Sequence, residues 1–144
     1  MTTMTEKFKI LTQFIKDMSS ETKDIETFIF VKDNILKYQL KINIISKPLK
    51  NKIIEVNTIL KFEGNEETKH RSHFEMTYST IIRVNDNVKE KKELERIILC
   101  DVQMKIYPNL EKSFLNMLHN SGYQNVKFEK KIDFEDLYLK QFNQ

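Results

Sequence analysis

The apolar residues of this chain change period once. Up to Val84 they alternate with polar residues, and beyond Glu93 they recur every three or four positions. Alternation sorts side chains onto the two faces of a strand, whereas a 3.6 period gathers them into one stripe of a helix. A single switch from strands to helices directs the chain to the α+β class: a four-stranded antiparallel sheet followed by helices packed on one face.

The alternation falls into four blocks. In Phe8–Met18, the residues Phe8, Ile10, Thr12 and Phe14 read as one face, and Lys9, Leu11, Gln13 and Ile15 as the other, so both faces are partly apolar. In Leu36–Ile45, the residues Leu36, Tyr38, Leu40, Ile42 and Ile44 oppose Lys37, Gln39, Lys41 and Asn43. Ile53–Glu63 sets Ile54, Val56, Thr58, Leu60 and Phe62 against Glu55, Asn57 and Lys61. Arg71–Val84 places Phe74, Met76, Tyr78, Thr80, Ile82 and Val84 on one side, with Ile81 opposite. The joins Ser46–Lys52 and Gly64–Lys69 are short and polar, as hairpin connections should be.

The helical part starts near Glu93, with Leu94, Ile97, Ile98, Val102 and Ile106 in register. Tyr107-Pro108 is expected to interrupt it, the proline opening a new helix that carries Leu110, Phe114, Leu115 and Leu118. Gly122 stands where a left-handed residue would end that helix. Tyr123–Lys131 reads as an extended stretch. Asp133 then caps a short last helix containing Leu137, Tyr138 and Phe142.

At 144 residues, with 40% apolar and 31% charged residues, the chain suits one domain spanning 1–144. Such a length buries roughly 68–70% of its unfolded surface. No apolar run approaches the roughly 18 residues of a membrane span. Met1–Lys9 lacks the order of a secretory signal, and the single Cys100 cannot form an internal disulfide; both lead us to expect the cytoplasm. The 24 basic residues (21 Lys, 3 Arg) exceed the 21 acidic ones by three. Because alanine and tryptophan are absent and lysine dominates, that excess fits AT-rich coding as well as an acidic partner.

Most chemistries find no support. Gly64 and Gly122 are the only glycines, too few and too distant for a phosphate-cradling loop. His70 and His73 lie three apart, which on a strand points them to opposite faces rather than at one metal. Cys100 sits in a helical apolar stretch without an activating histidine pattern, and Glu66-Glu67 falls in a loop. We read no catalytic constellation, no metal, no cofactor and no enzyme. Lys127–Lys131 is basic, with Phe128 interleaved, but lacks the aromatic-basic signature of nucleic-acid modules.

What remains is a surplus of large apolar side chains: ten Phe, five Tyr and six Met. One helical layer covers only one face of a sheet, so the rest should meet another subunit or a client chain. Met and Phe also suit an adaptable, unselective apolar groove. A dimer enclosing its own pocket, as a small-ligand-binding or enzymatic sheet domain, is the alternative reading of the same surplus.

Three segments resemble the SecB protein-export chaperones. Gln13-Phe14-Ile15-Lys16-Asp17-Met18-Ser19-Ser20-Glu21 is similar to that family's opening strand, and His73-Phe74-Glu75-Met76-Thr77-Tyr78 to its glutamate-bearing fourth strand. Tyr107-Pro108, Gly122 and Ile132-Asp133-Phe134-Glu135-Asp136-Leu137-Tyr138 are similar, in order, to its proline-opened helix, its glycine and its closing helix.

The resemblance implies an ATP-independent holdase, a homotetramer built as a dimer of dimers, that keeps secretory precursors unfolded and passes them to the SecA motor. It implies SecA docking at Asp17, Glu21 and Glu75, and a client groove at Tyr38, Leu40, Ile42, Tyr138 and Phe142. The chain departs from the family at His73 and at Ser79-Thr80, in its net charge, and in Thr22–Glu26 after the first strand. A SecB-like chaperone serving another system, such as toxin–antitoxin control, has the same architecture.

Overall fold

The computed structural model describes residues 6–64 and 70–142, with side chains as far as Lys140; Glu66 and Glu67 lie outside the described residues. Strands β1 (Phe8–Glu21), β2 (Gln39–Pro48), β3 (Ile53–Glu63) and β4 (His73–Val84) form one antiparallel sheet in the order β1-β4-β3-β2. Helix α1 (Ile25–Asn34) and a 3-10 turn (Ile35–Lys37) precede β2. Helix α2 (Lys91–Arg96), a π-helical turn (Ile97–Asp101), α3 (Val102–Asn120) and α4 (Phe134–Phe142) follow β4.

The α+β architecture therefore stands, and its core lies where the alternation places it. Ile54, Val56, Thr58, Leu60 and Phe62 on β3, with Phe74, Met76, Tyr78, Thr80, Ile82 and Val84 on β4, are buried together. Against them α3 buries Val102, Ile106, Leu110, Phe114 and Leu118, each four residues on from the last. Burying such a side chain contributes about 1.5–3 kcal/mol. Thr58 adds a polar pin: its hydroxyl donates to Oε1 of buried Gln103 at 2.9 Å, and Gln103 Nε2 donates to the Ile98 carbonyl at 3.2 Å. The side-chain amide thus satisfies a carbonyl of the π-helical turn.

The structure corrects the reading of β1. Phe8 and Ile10 face Val84 and Ile82 and so point to the core, whereas Thr12 and Phe14 face Ile81 and Ser79 on the opposite side of the sheet. Bulges between Ile10 and Thr12 and between Ile15 and Asp17 each insert one residue, and each reverses the parity of everything beyond it.

Two further expectations change, and one helix is added. Leu36 is not a strand residue: it lies in the 3-10 turn and is 86% exposed, while Ile35 turns inward. Helix α1 occupies a segment to which the sequence pattern assigns no element. Asp24 caps it by accepting the Thr27 N–H at 2.8 Å, and hydrogen bonds from Thr27 hold the Asp24 carboxyl below its ordinary range. Finally, Pro108 lies inside α3 rather than at a break. It sits on the exposed side, as does Met104, whose carbonyl it cannot bond, so water can serve that carbonyl.

Gly122 does end α3 as expected. Its φ is +104°, its N–H reaches the His119 carbonyl at 3.1 Å, and the Tyr123 N–H reaches that of Leu118 at 3.1 Å. This is the Schellman closure.

Candidate functional site

Strand β2 is an edge, so one side of its backbone has no strand partner. Its inward residues alternate as Leu40, Ile42 and Ile44, opposite Phe62, Leu60 and Thr58 of β3. All three stay half-buried. A groove runs beside this edge. At one end a recess of about 210 Å³ is lined by Ile42, Ile44, Leu99, Phe134, Leu137 and Tyr138. At the other end one of about 490 Å³ is lined by Leu36, Leu40, Phe128 and Ile132, with Lys127 and Lys130 among its polar residues. A smaller hollow beside Tyr38 and Phe62 shares Leu36, Leu40, Lys127 and Phe128 with it.

The wall formed by α4 is fixed by local chemistry. Asp133 accepts the Asp136 N–H at 3.0 Å and starts the helix. Phe134 is buried edge-on against Tyr107 at 5.2 Å. Arg96 Nη2 donates to Glu135 at 2.9 Å, which raises the guanidinium pKa further, and Arg96 also stacks over the Tyr138 ring at 5.7 Å.

Of the five expected groove residues, Ile42 and Tyr138 line the first recess, and Leu40 and Tyr38 line the hollows at the other end of the same strand. Phe142 is the last residue of α4, and its side chain lies outside the described residues. Leu36, Leu99, Phe128 and Leu137 line the recesses without a sequence signal that marks them for it. Phe128 and Ile132 sit in an irregular segment without a readable period, and Leu36 continues the alternation of β2 in the sequence although it lies in the 3-10 turn.

The other sheet face carries the acids. Asp17, Ser19 and Glu21 on β1 lie opposite Thr77, Glu75 and His73 on β4, so Asp17, Glu21 and Glu75 share one face. Cations stand among them: Lys61 Nζ is 3.7 Å and His73 Nε2 3.6 Å from Glu75 Oε1. Lys16 Nζ lies 2.5 Å from Glu55, and this hydrogen bond holds the Glu55 carboxyl below its ordinary range. Phe14 and Ile45 are exposed on this face, and Ser79 is buried at its centre while Thr80 is buried on the core side.

The remaining candidates show no convergence. His70 Nδ1 is 3.3 Å from the Thr27 hydroxyl, and His73 points to the exposed face. Cys100 is buried, which pushes its thiol pKa up. Among the described residues no three His, Cys, Asp or Glu side chains gather as metal ligands, and no helix is long and apolar enough to cross a membrane.

Comparison with known proteins places this architecture. The family model for SecB, described as preprotein translocase subunit SecB, matches residues 2–144. A protein of Pelagibacter ubique (strain HTCC1062) named "Putative protein-export protein SecB" is 59% identical over 140 residues, covering 97% of this chain and all of that one. The protein-export protein SecB of Bartonella quintana (strain Toulouse) is 20% identical over 133 residues, covering 92% of this chain and 82% of that one. Among solved structures, the Mycobacterium tuberculosis SecB-like chaperone, in complex with a peptide from an antitoxin, superposes with a TM-score of 0.63. It is 7% identical and covers 88% of this chain and 91% of that one, a likeness of fold.

Proposed function

The chain belongs to the SecB family of protein-export chaperones, and we propose on that premise that it holds unfolded precursor polypeptides in the groove beside β2, without nucleotide, and delivers them to the SecA motor. The observation that carries the reading is the groove itself: a two-recess apolar strip laid along an unpaired strand edge. An extended client can add main-chain hydrogen bonds to β2 while alternate side chains enter the recesses. Aromatic and aliphatic walls read apolarity and shape, which many sequences share. Binding the unfolded form lowers its free concentration by mass action, so no energy source is needed.

Leu11, Phe14, Ile15 and Met18 on edge strand β1 and Ile25 and Ile29 on α1 remain exposed. Their exposure supports self-association, and we assign the chain to a homotetramer, a dimer of dimers. Several grooves on one particle then grip one client with avidity although each site releases quickly. The acidic face at Asp17, Glu21 and Glu75 supplies a separate electrostatic surface on which the motor docks. The cytoplasm, where precursors wait, is the proposed place of action.

The test combines light scattering with an aggregation assay. A particle of four 17.3-kDa chains that suppresses aggregation of an unrelated unfolded protein at stoichiometric amounts, without ATP, supports the reading. A monomer without that activity removes it.

A further inference from the structure

The two ends of the groove differ in charge. At the α4 end the carboxylates are engaged at home: Asp133 caps the helix, Glu135 holds Arg96, and Asp136 lies 3.1 Å from Lys140, the lysine that lines this recess. At the Leu36–Phe128 end, Lys127 and Lys130 line the larger recess against one carboxylate, Glu129. Lys37 and Lys131 neighbour the lining residues Leu36 and Ile132 in the chain, and all four of these lysines are exposed. Among the described residues none of the four has a carboxylate within ion-pair distance. The groove thus ends in an apolar recess with an uncompensated basic rim, while the opposite sheet face gathers Asp17, Glu21 and Glu75.

On the reading of the groove as a polypeptide site, we infer that it selects extended client segments in which acidic residues flank the apolar ones, the acidic flank lying at the Leu36–Phe128 end. An aromatic or large aliphatic client residue fills the recess between Leu36, Leu40 and Phe128, and a client carboxylate beside it meets Lys127 or Lys130. Partial burial against apolar walls strengthens such pairs relative to open water. A lysine-flanked segment meets like charge at the same place and is disfavoured.

Three labelled peptides with one shared apolar core, flanked by Asp, Asn or Lys, test this by fluorescence anisotropy on the full chain. The Asp-flanked peptide is expected to bind about tenfold more tightly than the Lys-flanked one at low salt, the contribution of two surface ion pairs. The preference should shrink several-fold at 1 M salt, where the screening length falls to about 3 Å. Lys127→Gln/Lys130→Gln should abolish the preference of the groove for the Asp-flanked over the Lys-flanked peptide, with thermal melting verifying that the variant is folded. Equal or tighter binding of the Lys-flanked peptide overturns the inference and leaves the groove reading standing. Failure of all three peptides to bind overturns both.

Discussion

Lys16 on edge strand β1 reaches over the whole of β4 to place its ammonium 2.5 Å from the Glu55 carboxylate on β3. The lysine occupies the second β1 bulge, which lies between Ile15 and Asp17. The link therefore straps an edge strand to the sheet centre on the face that the helices leave open. Because the folded Glu55 carboxyl titrates below its ordinary value, the stabilisation is present at pH values above the unfolded value. It disappears as pH falls through the depressed folded one. Glu55→Gln should therefore lower stability by about 0.5–1 kcal/mol at pH 7. Denaturant titrations of both forms should converge once the pH lies below the depressed folded value, and a difference that stays constant as the pH falls would contradict the assignment.

Gly122 is held against Phe28 more closely than any side chain allows. A β-carbon there would lie 2.6 Å from the Phe28 ring, at a φ of +104°. Gly122→Ala should cost about 1–3 kcal/mol. Adding Phe28→Leu should recover only the steric part, because the backbone conformation is unchanged; urea denaturation of the single and double variants measures both parts.

Thr58 and Gln103 form a buried pair whose halves depend on each other. Thr58→Val leaves the Gln103 carbonyl oxygen without its donor and should cost about 1–3 kcal/mol. Gln103→Leu strips a partner from both Thr58 and the Ile98 carbonyl and should cost more. The double variant should fall short of the sum by at least about 0.5 kcal/mol in a denaturation cycle.

Leu36 and Leu137 are 86% and 43% exposed yet line the two recesses. Replacing either with Ser should leave the melting temperature within about 2 °C, since little native burial is lost. Client affinity should weaken about tenfold per site, the worth of one leucine covered on binding. Isothermal titration with a reduced, unfolded client separates the two readouts.

Glu75→Lys reverses the central charge of the acidic face, beside Lys61. Binding to SecA should drop at least tenfold while aggregation suppression is retained, because the groove lies on the other side of the sheet. Surface resonance against immobilised SecA, alongside the aggregation assay, checks both halves. Unchanged SecA binding would move the docking surface elsewhere.

Much of this was legible in the chain because it is local. The bounds of β3 match the alternation from Ile53 to Glu63, the buried face of β4 is the Phe74–Val84 set, and Gly122 and Asp133 sit at helix ends for reasons contained within a few neighbouring residues. Helix α1 carried a usable signal in Asp24, three residues ahead of Thr27. Its buried stripe is only Thr27 and Val31, too thin to register as a period. Of the residues lining the recesses, the family resemblance implies Tyr38, Leu40, Ile42 and Tyr138; Leu36 and Phe128 carry no such signal, since neither belongs to a strand or to an amphipathic helix.

The amino-acid sequence by itself determined the four strands and the helical region that follows them, the dry faces of the inner strands and the helix ends at Gly122 and Asp133, because period and capping depend on residues adjacent in the chain. Only the tertiary structure decided which way Phe14 points, that α3 runs through Pro108, and that Leu36 and Phe128 share a recess. Those outcomes depend on register against a partner strand and on segments meeting some ninety residues apart (128 against 36), and no local period encodes either.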